Sequence, residues 1–223
     1  MSACSDGEFT CSNGDCVTME QRCDQLPHCR DKSDEEGCQN IHLENGYTKE
    51  VAPVTLVADS NRSILPVPVK LNIRLFKVVD INEEDHSIEL QIKISLKWKD
   101  NRLTFHNLKK DLALNAVKED KLKLLWLPLV IYTNTDQKQT TRLGESWEWS
   151  TSVLVRREGS FTRSGLEEVD EVEIYRGGEN TLSMQQTYTH EFQCVYKLTK
   201  YPFDTQVGNI SLTSVIFRFA QLT

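Results

Sequence analysis

The chain has 223 residues, of which 26% are charged and 39% hydrophobic, enough for one small module and one domain of ordinary size. Its formal net charge is −7 and it has no basic tract, so nucleic acid is not an expected partner. The sequence has no apolar run of about 18 residues, and it therefore predicts no membrane-spanning helix.

Cysteines and acids dominate the start of the chain. Six of the seven cysteines lie in the first 38 residues, where nine acids and three bases give a formal charge of −6. A segment this short cannot bury enough apolar surface to fold without covalent or metal cross-links. We therefore predict an exported, disulfide-rich module over residues 1–39 and, from the acidic run 31–36, a calcium ion. Spacing alone leaves the cysteine pairing open.

The cysteine order, together with Phe9, Gly14 and the segment 31–35, closely resembles the low-density-lipoprotein receptor class A repeat. The resemblance implies the disulfides Cys4–Cys16, Cys11–Cys29 and Cys23–Cys38. It also implies calcium ligands, namely the side chains of Asp24, Asp34 and Glu35 and the backbone carbonyls of Gln21 and Leu26.

One position departs from this pattern, because His28 stands where the family has a fourth carboxylate. Calcium is a hard cation that prefers oxygen ligands, so an imidazole here predicts weaker binding. Class A repeats usually bind basic protein surfaces, and we expect such a partner for this one.

Residues 40–66 contain no cysteine and carry Gly46, Pro53 and Pro66. We interpret them as a linker and domain entry, with room for a short helix and a strand that starts near Pro66. Asn61 and Asn209 each begin an Asn-x-Ser triplet, which makes them candidate glycosylation sites in an exported chain.

Strand patterns fill residues 67–223. Apolar and polar residues alternate at 67–75 and 88–96 around a polar turn at 80–85, which predicts a hairpin with one buried face. Further strands are predicted at 124–132, 152–157, 171–176, 186–197 and 207–219, with a short helix or loop within 107–122. This density of short strands predicts a mainly β fold, an immunoglobulin-like β-sandwich.

Three motifs identify this second domain. They are Trp98-Lys-Asp100-Asn-Arg102-Leu103, then Trp126-Leu-Pro128 followed by Tyr132 and Asn134, and finally Cys194 with Tyr201-Pro202-Phe203-Asp204-Thr205-Gln206. In this order they resemble the extracellular ligand-binding domain of the pentameric Cys-loop neurotransmitter-gated ion channels. The resemblance implies a small-molecule ligand, homologous subunits in a pentamer and the extracellular face of the plasma membrane. It also implies that Cys194 and the Tyr201–Gln206 loop, with Pro202, Phe203 and Asp204, couple ligand binding to a pore.

The sequence departs from this family at the signature loop and at the ligand site, where residues typical of the family are replaced. Gly208 stands where the family closes the loop with a second cysteine, so Cys194 has no partner for that bond. Tyr132 is the aromatic that the ligand site keeps, whereas Lys93 replaces a frequent aromatic. Choline-like ligands, which need an aromatic box, are therefore disfavoured.

The family continues beyond the point at which this sequence stops, with two more strands and four membrane helices. We therefore expect a fragment of a longer exported protein, with a sandwich incomplete at its C-terminus. The alternative is a secreted, soluble ligand- or protein-binding protein without channel activity, and a truncated, non-functional product is a third reading. No nucleophile, base and orienting group occur in a recognisable set, so catalysis is not expected.

Overall fold

The computed structural model describes residues 4–5, 7–56, 64–135, 152–163, 172–196 and 210–215. Within these ranges the strands are β1 (Glu8–Thr10), β2 (Cys16–Thr18), β3 (Ile41–Leu43), β4 (Val54–Leu56), β5 (Ile64–Pro66), β6 (Lys70–Asn82), β7 (Ser87–Trp98), β8 (Leu103–His106), β9 (Leu129–Tyr132), β10 (Ser152–Arg156), β11 (Phe161–Arg163), β12 (Glu173–Arg176), β13 (Thr181–Gln193) and β14 (Leu212–Val215). Helical turns are short: 3₁₀ turns at Ser33–Glu35 and Leu112–Asn115, and helix α1 at Glu119–Leu122.

The first module is a small hairpin held by cross-links. Strands β1 and β2 pair antiparallel, with Phe9 opposite Val17. Disulfides join Cys4 to Cys16, Cys11 to Cys29 and Cys23 to Cys38. The apolar core of this module is only Phe9, Cys11, Val17, Met19 and Cys29. Because so small a core cannot offset the entropy of folding, the disulfides carry much of the stability of the module.

Two four-stranded antiparallel sheets form the second domain. Their strand orders are β10-β13-β7-β6 and β11-β12-β8-β3, and the pairs β9–β14 and β4–β5 add to them. Alternate residues of β7 are buried (Leu90, Ile92, Ile94, Leu96 and Trp98). They share one core with Phe105 of β8 and Tyr175 of β12 in the other sheet. The mainly β sandwich predicted from the sequence is thus confirmed.

The predicted hairpin forms from β6 and β7, but its buried face is confined to β7. On β6, Leu71, Leu75 and Ile81 are 42%, 54% and 55% exposed, so the prediction of burial is wrong for this strand. No described strand pairs with its second edge. Its register to β7 also shifts twice, between Leu75 and Lys77 and between Val78 and Asp80. Each bulge moves the following side chains to the other face, which breaks the alternation of period two.

The described residues of 40–66 form strands, and the short helix for which the sequence left room does not occur among them. Strand β3 pairs with β8 through Ile41 and Phe105, and β4 pairs with β5. Segments of three residues carry almost no periodic signal, and it is the pairing with distant strands that makes them extended. The second sheet of the sandwich therefore begins only three residues after Cys38.

Other strand limits shift for local reasons. Strand β9 starts at Leu129, because α1 and the turns that follow it occupy residues 119–125. Strand β13 begins at Thr181, earlier than the predicted 186, because it pairs with β10 as well as with β7. The predicted strands at 152–157 and 171–176 correspond to β10 and β12.

Gly177 allows the turn after β12 to pack on the turn between β7 and β8. Its N–H donates to the Leu103 carbonyl at 2.9 Å, and an added Cβ would lie 2.1 Å from the Asp100 carbonyl oxygen. Gly177→Ala is therefore expected to lower the free energy of unfolding by about 1–3 kcal/mol or more, because backbone must move. The neighbouring Gly178→Ala is the control, since its Cβ would meet only Asn101 at 3.5 Å. Equal urea midpoints for the two variants would contradict this expectation.

Candidate functional site

The predicted calcium loop contains a buried carboxylate that lacks a full set of partners. Asp34, on the 3₁₀ turn Ser33–Glu35, is 0% exposed. Its Oδ2 accepts a hydrogen bond from the His28 backbone N–H at 2.6 Å. Among the described residues no donor reaches its Oδ1. A buried carboxylate oxygen without a partner is costly, and a cation at this point would remove that cost. The residues present therefore fit a calcium ion.

Two further predicted ligands lie beside it. The backbone N–H of Asp24 donates to Glu35 Oε1 at 2.9 Å, and the backbone N–H of Leu26 donates to Asp24 Oδ1 at 2.9 Å. Burial raises the pKa of Glu35, and the negative charges of Asp24 and Asp34 add to the effect. The raised pKa of Glu35 thus reflects mainly its burial and, to a lesser degree, the two neighbouring acids; a cation here would stabilise the charged forms of all three.

His28 takes part in the same cluster through its ring. Its Nε2 lies 3.0 Å from Asp24 Oδ2, and its Nδ1 lies 3.4 Å from the side-chain Nε2 of Gln21. The imidazole thus contacts Asp24 Oδ2, an oxygen that Asp24 could otherwise offer to calcium. Pairwise contacts link Asp24 to His28 and to Glu35, and His28 to Asp34. In the described residues, however, no three of these four side chains place ligand atoms within 4.8 Å of one another. Binding of calcium by this loop stays a prediction.

Two groups of possible ligand atoms do lie close together in the described part of the chain. They combine Cys4, Glu8 and Cys16, and Cys11, Cys29 and Asp31. Every cysteine in them is disulfide-bonded. Because a metal needs a free thiolate, these groups are not metal sites.

The Trp98–Leu103 motif forms a polar lock at the end of the sandwich. Asp100 is fully buried and accepts from Arg102 Nε at 2.8 Å and Nη2 at 2.7 Å. Arg102 Nη1 reaches back to the Val51 carbonyl at 2.8 Å. Tyr47 Oη donates to Asp100 Oδ2 at 3.4 Å and accepts from the Trp126 N–H at 2.8 Å. Burial raises the pKa of Tyr47 to about 12, so its hydroxyl stays a donor at neutral pH. The lock ties two of the three sequence motifs to the segment 47–51.

Tyr132, the predicted aromatic of the ligand site, lies inside the sandwich. It is 0% exposed, and its ring centroid is 4.8 Å from that of His190 and 5.4 Å from that of Phe192. Burial raises the pKa of Tyr132 and lowers that of His190. His190 was missed from the sequence, because a single histidine within a strand carries no signal of its neighbours.

Lys93, the other predicted ligand contact, does not meet Tyr132. It lies on β7 between Ile92 and Ile94, whose side chains point into the core, so its own side chain points to the opposite face of the sheet. A ligand contact for either residue stays a prediction. Contact between a ligand and Tyr132 would require the core around this buried side chain to open.

The coupling loop is described only at its beginning. Cys194 is a buried free thiol whose backbone N–H donates to the His86 carbonyl at 2.7 Å. Tyr201, Pro202, Phe203, Asp204 and Gln206 lie outside the described residues, as do the sequon residues Asn61 and Asn209. In the described ranges no helix has both the length and the hydropathy needed to span a bilayer.

Known proteins match the two parts separately. Residues 2–38 match the low-density lipoprotein receptor domain class A family, and residues 39–223 match the neurotransmitter-gated ion-channel ligand binding domain family. Both families are receptor or binding domains and not enzymes.

Individual relatives divide in the same way. The acetylcholine receptor subunit delta of Xenopus laevis is 28% identical over 117 residues, which are 50% of this chain and 20% of that protein. Low-density lipoprotein receptor-related protein 5 of Mus musculus is 51% identical over 37 residues, 16% of this chain and 2% of that protein. SCO-spondin of Bos taurus is 49% identical over 40 residues, 18% of this chain and 1% of that protein.

The chain spans no more than about a fifth of the length of any of these three relatives. The channel-domain match, by contrast, covers most of the chain itself, from residue 39 to residue 223. A class A repeat at residues 2–38 precedes this domain. The chain therefore belongs to the neurotransmitter-gated ion-channel ligand-binding domain family.

Proposed function

We propose that this chain is the extracellular ligand-sensing region of a subunit of a pentameric ligand-gated ion channel. The observation that carries the proposal is the family match over residues 39–223 together with a sandwich built around the Trp98–Leu103 motif. Its ligand is a small molecule, and its partners are homologous subunits. The chain lies outside the cell, which agrees with three disulfides in its first module.

The proposed mechanism is a shift between two conformations of the pentamer. A ligand bound between subunits favours the conformation that it binds more tightly, and the difference in affinity sets the size of the shift. Residues Cys194 and Tyr201–Gln206 would then pass the change to a pore at the membrane. Tyr132 is the proposed ligand contact within the sandwich, and Lys93 is proposed on the other face of its sheet.

Calcium is the proposed ion of the class A repeat. Asp24, Asp34 and Glu35 would hold it with their carboxylates, and Gln21 and Leu26 with their backbone carbonyls. Asp34 Oδ1, which no donor reaches among the described residues, supports this assignment. When bound, calcium would neutralise the clustered acids and tie the loop together.

The experiment is expression of the full reading frame that encodes this chain in oocytes under voltage clamp. Choline esters, biogenic amines and amino acids are applied in turn, and a ligand-evoked current is the expected result. Replacing Pro202 and Asp204 in the coupling loop is expected to reduce the current while leaving surface expression intact.

A second outcome would favour the alternative function. If the downstream reading frame contained no hydrophobic spans and the product were secreted and bound ligand without current, the chain would be a soluble binding protein. Absence of current from a surface-expressed pentamer over the whole ligand panel would contradict the proposal.

A further inference from the structure

The class A repeat is joined to the sandwich without a free linker. Asn40, two residues after Cys38, already makes sandwich contacts: its side chain donates to the Ala116 carbonyl at 2.7 Å, and its carbonyl accepts from the His106 N–H at 3.1 Å. Strand β3 begins at the next residue. A tether this short leaves the repeat little freedom to turn away from the sandwich.

A buried lysine makes the central contact between the two parts. Lys109 is 4% exposed, and its Nζ donates to the carbonyl of Met19, a core residue of the repeat, at 2.5 Å. The side chain of Asn115 fixes Lys109 by accepting from its backbone N–H at 2.7 Å and donating to its carbonyl at 2.8 Å. A buried ammonium is retained only where acceptors and negative charge offset its lost hydration.

The negative charge comes largely from the repeat. Burial lowers the pKa of Lys109, and the acids that oppose this effect include Glu20, Asp24 and Glu35 of the repeat as well as Glu173 of β12. The repeat as a whole has nine acids against three bases. An ammonium placed at its surface is therefore in a favourable field.

Two further cations of the sandwich meet the repeat at Glu20. Lys110 Nζ lies 3.5 Å from Glu20 Oε1, and Arg157 Nη1 lies 3.4 Å from the same oxygen. Arg157 is also held by the sandwich, because its Nη1 donates to the Leu108 carbonyl at 3.2 Å. Exposed pairs of this kind contribute little individually, so Lys109 is the contact expected to matter most.

We propose that the basic partner of this class A repeat is the sandwich of its own chain, and that the repeat acts as a brace for the ligand-binding domain. The repeat and the sandwich then unfold as one cooperative unit, and Lys109 carries the coupling between them. This inference goes beyond the proposed channel function and holds equally for a secreted binding protein.

The sequence supplies a selective perturbation and a selective reporter. All the disulfide-bonded cysteines lie in the repeat, and Cys194 of the sandwich is already a free thiol. All four tryptophans (Trp98, Trp126, Trp147 and Trp149) lie in the second domain. A mild reductant therefore unfolds the repeat, while tryptophan fluorescence follows only the sandwich.

The test is thermal unfolding of the whole chain by tryptophan fluorescence, with and without reductant. We expect reduction to lower the midpoint by at least roughly 2–4 °C, because the sandwich loses its contact with the folded repeat. An unchanged midpoint, with reduction verified by thiol titration, would overturn the proposal. This arm needs no variant, so it decides the matter even if a substituted chain fails to fold.

Matched variants then test the lysine. Lys109→Met keeps the length of the side chain and removes its charge, and we expect a lower midpoint in the oxidised chain with at most half of the wild-type response to reductant. Lys110→Met, which removes only an exposed pair to Glu20, is expected to keep nearly the full response. Equal responses in the two variants would show that Lys109 does not carry the coupling.

Discussion

Asp100→Ala is expected to lower the free energy of unfolding by about 3–5 kcal/mol, the largest effect we foresee for a single substitution. The variant leaves the half-buried guanidinium of Arg102 without the carboxylate that now accepts from its Nε at 2.8 Å and its Nη2 at 2.7 Å. It also removes the acceptor of the Tyr47 hydroxyl. Urea unfolding followed by tryptophan fluorescence measures the change.

The control for Asp100 is another aspartate with a single local role. Asp111 accepts only from the Ala113 N–H, at 2.9 Å, among the hydrogen bonds described for its side chain. Asp111→Ala is expected to cost about 1 kcal/mol, as for the loss of a helix cap. If Asp100→Ala cost no more than this, the Asp100–Arg102 pair would not be the lock that its geometry suggests.

His28→Asp is expected to tighten calcium binding by roughly 10- to 100-fold, since affinity rises with the number of charged oxygen ligands. The substitution supplies the missing carboxylate, and it also removes the ring that lies 3.0 Å from Asp24 Oδ2. Both changes favour the same ion. Isothermal titration of the oxidised chain with calcium chloride gives the dissociation constant directly.

An exposed histidine provides the comparison. His42 on β3 is stacked on His106 with ring centroids 5.8 Å apart and lies on a sandwich strand, outside the predicted calcium loop. His42→Asp changes the net charge equally and should leave calcium affinity within a factor of about two. A dissociation constant that does not respond to His28→Asp would argue against calcium at Asp24, Asp34 and Glu35.

Sequence reasoning works best where covalent or periodic constraints are strong. The class A repeat could be outlined from its cysteines, because their spacing leaves little freedom once the family is identified. Strand β7 could be predicted from its alternation, since every second residue faces a continuous core. The Trp98–Leu103 motif could be found from the sequence, but the hydrogen bonds of Asp100 and Arg102 to Tyr47 and Val51 join chain segments about 50 residues apart.

Other features of the structure depend on tertiary packing and cannot be predicted from the local sequence. Strand β6 has the same alternating pattern as β7, yet its side chains are exposed and its register to β7 shifts twice, neither of which the local sequence reveals. Strand β3 is too short to be predicted from composition. Lys109 looks like an ordinary surface lysine in the sequence, and nothing there indicates that it is buried or that it contacts Met19 of the repeat.

The two-residue join between Cys38 and β3 has a consequence for variation in this protein. Because Asn40 and Ile41 are fixed to β8 by backbone pairing, an inserted or deleted residue at 39 would displace the repeat by one residue length, about 3.5 Å. Lys109 could not then reach Met19. Changes of length at this junction, such as those from a shifted splice boundary, would therefore separate the repeat from the sandwich.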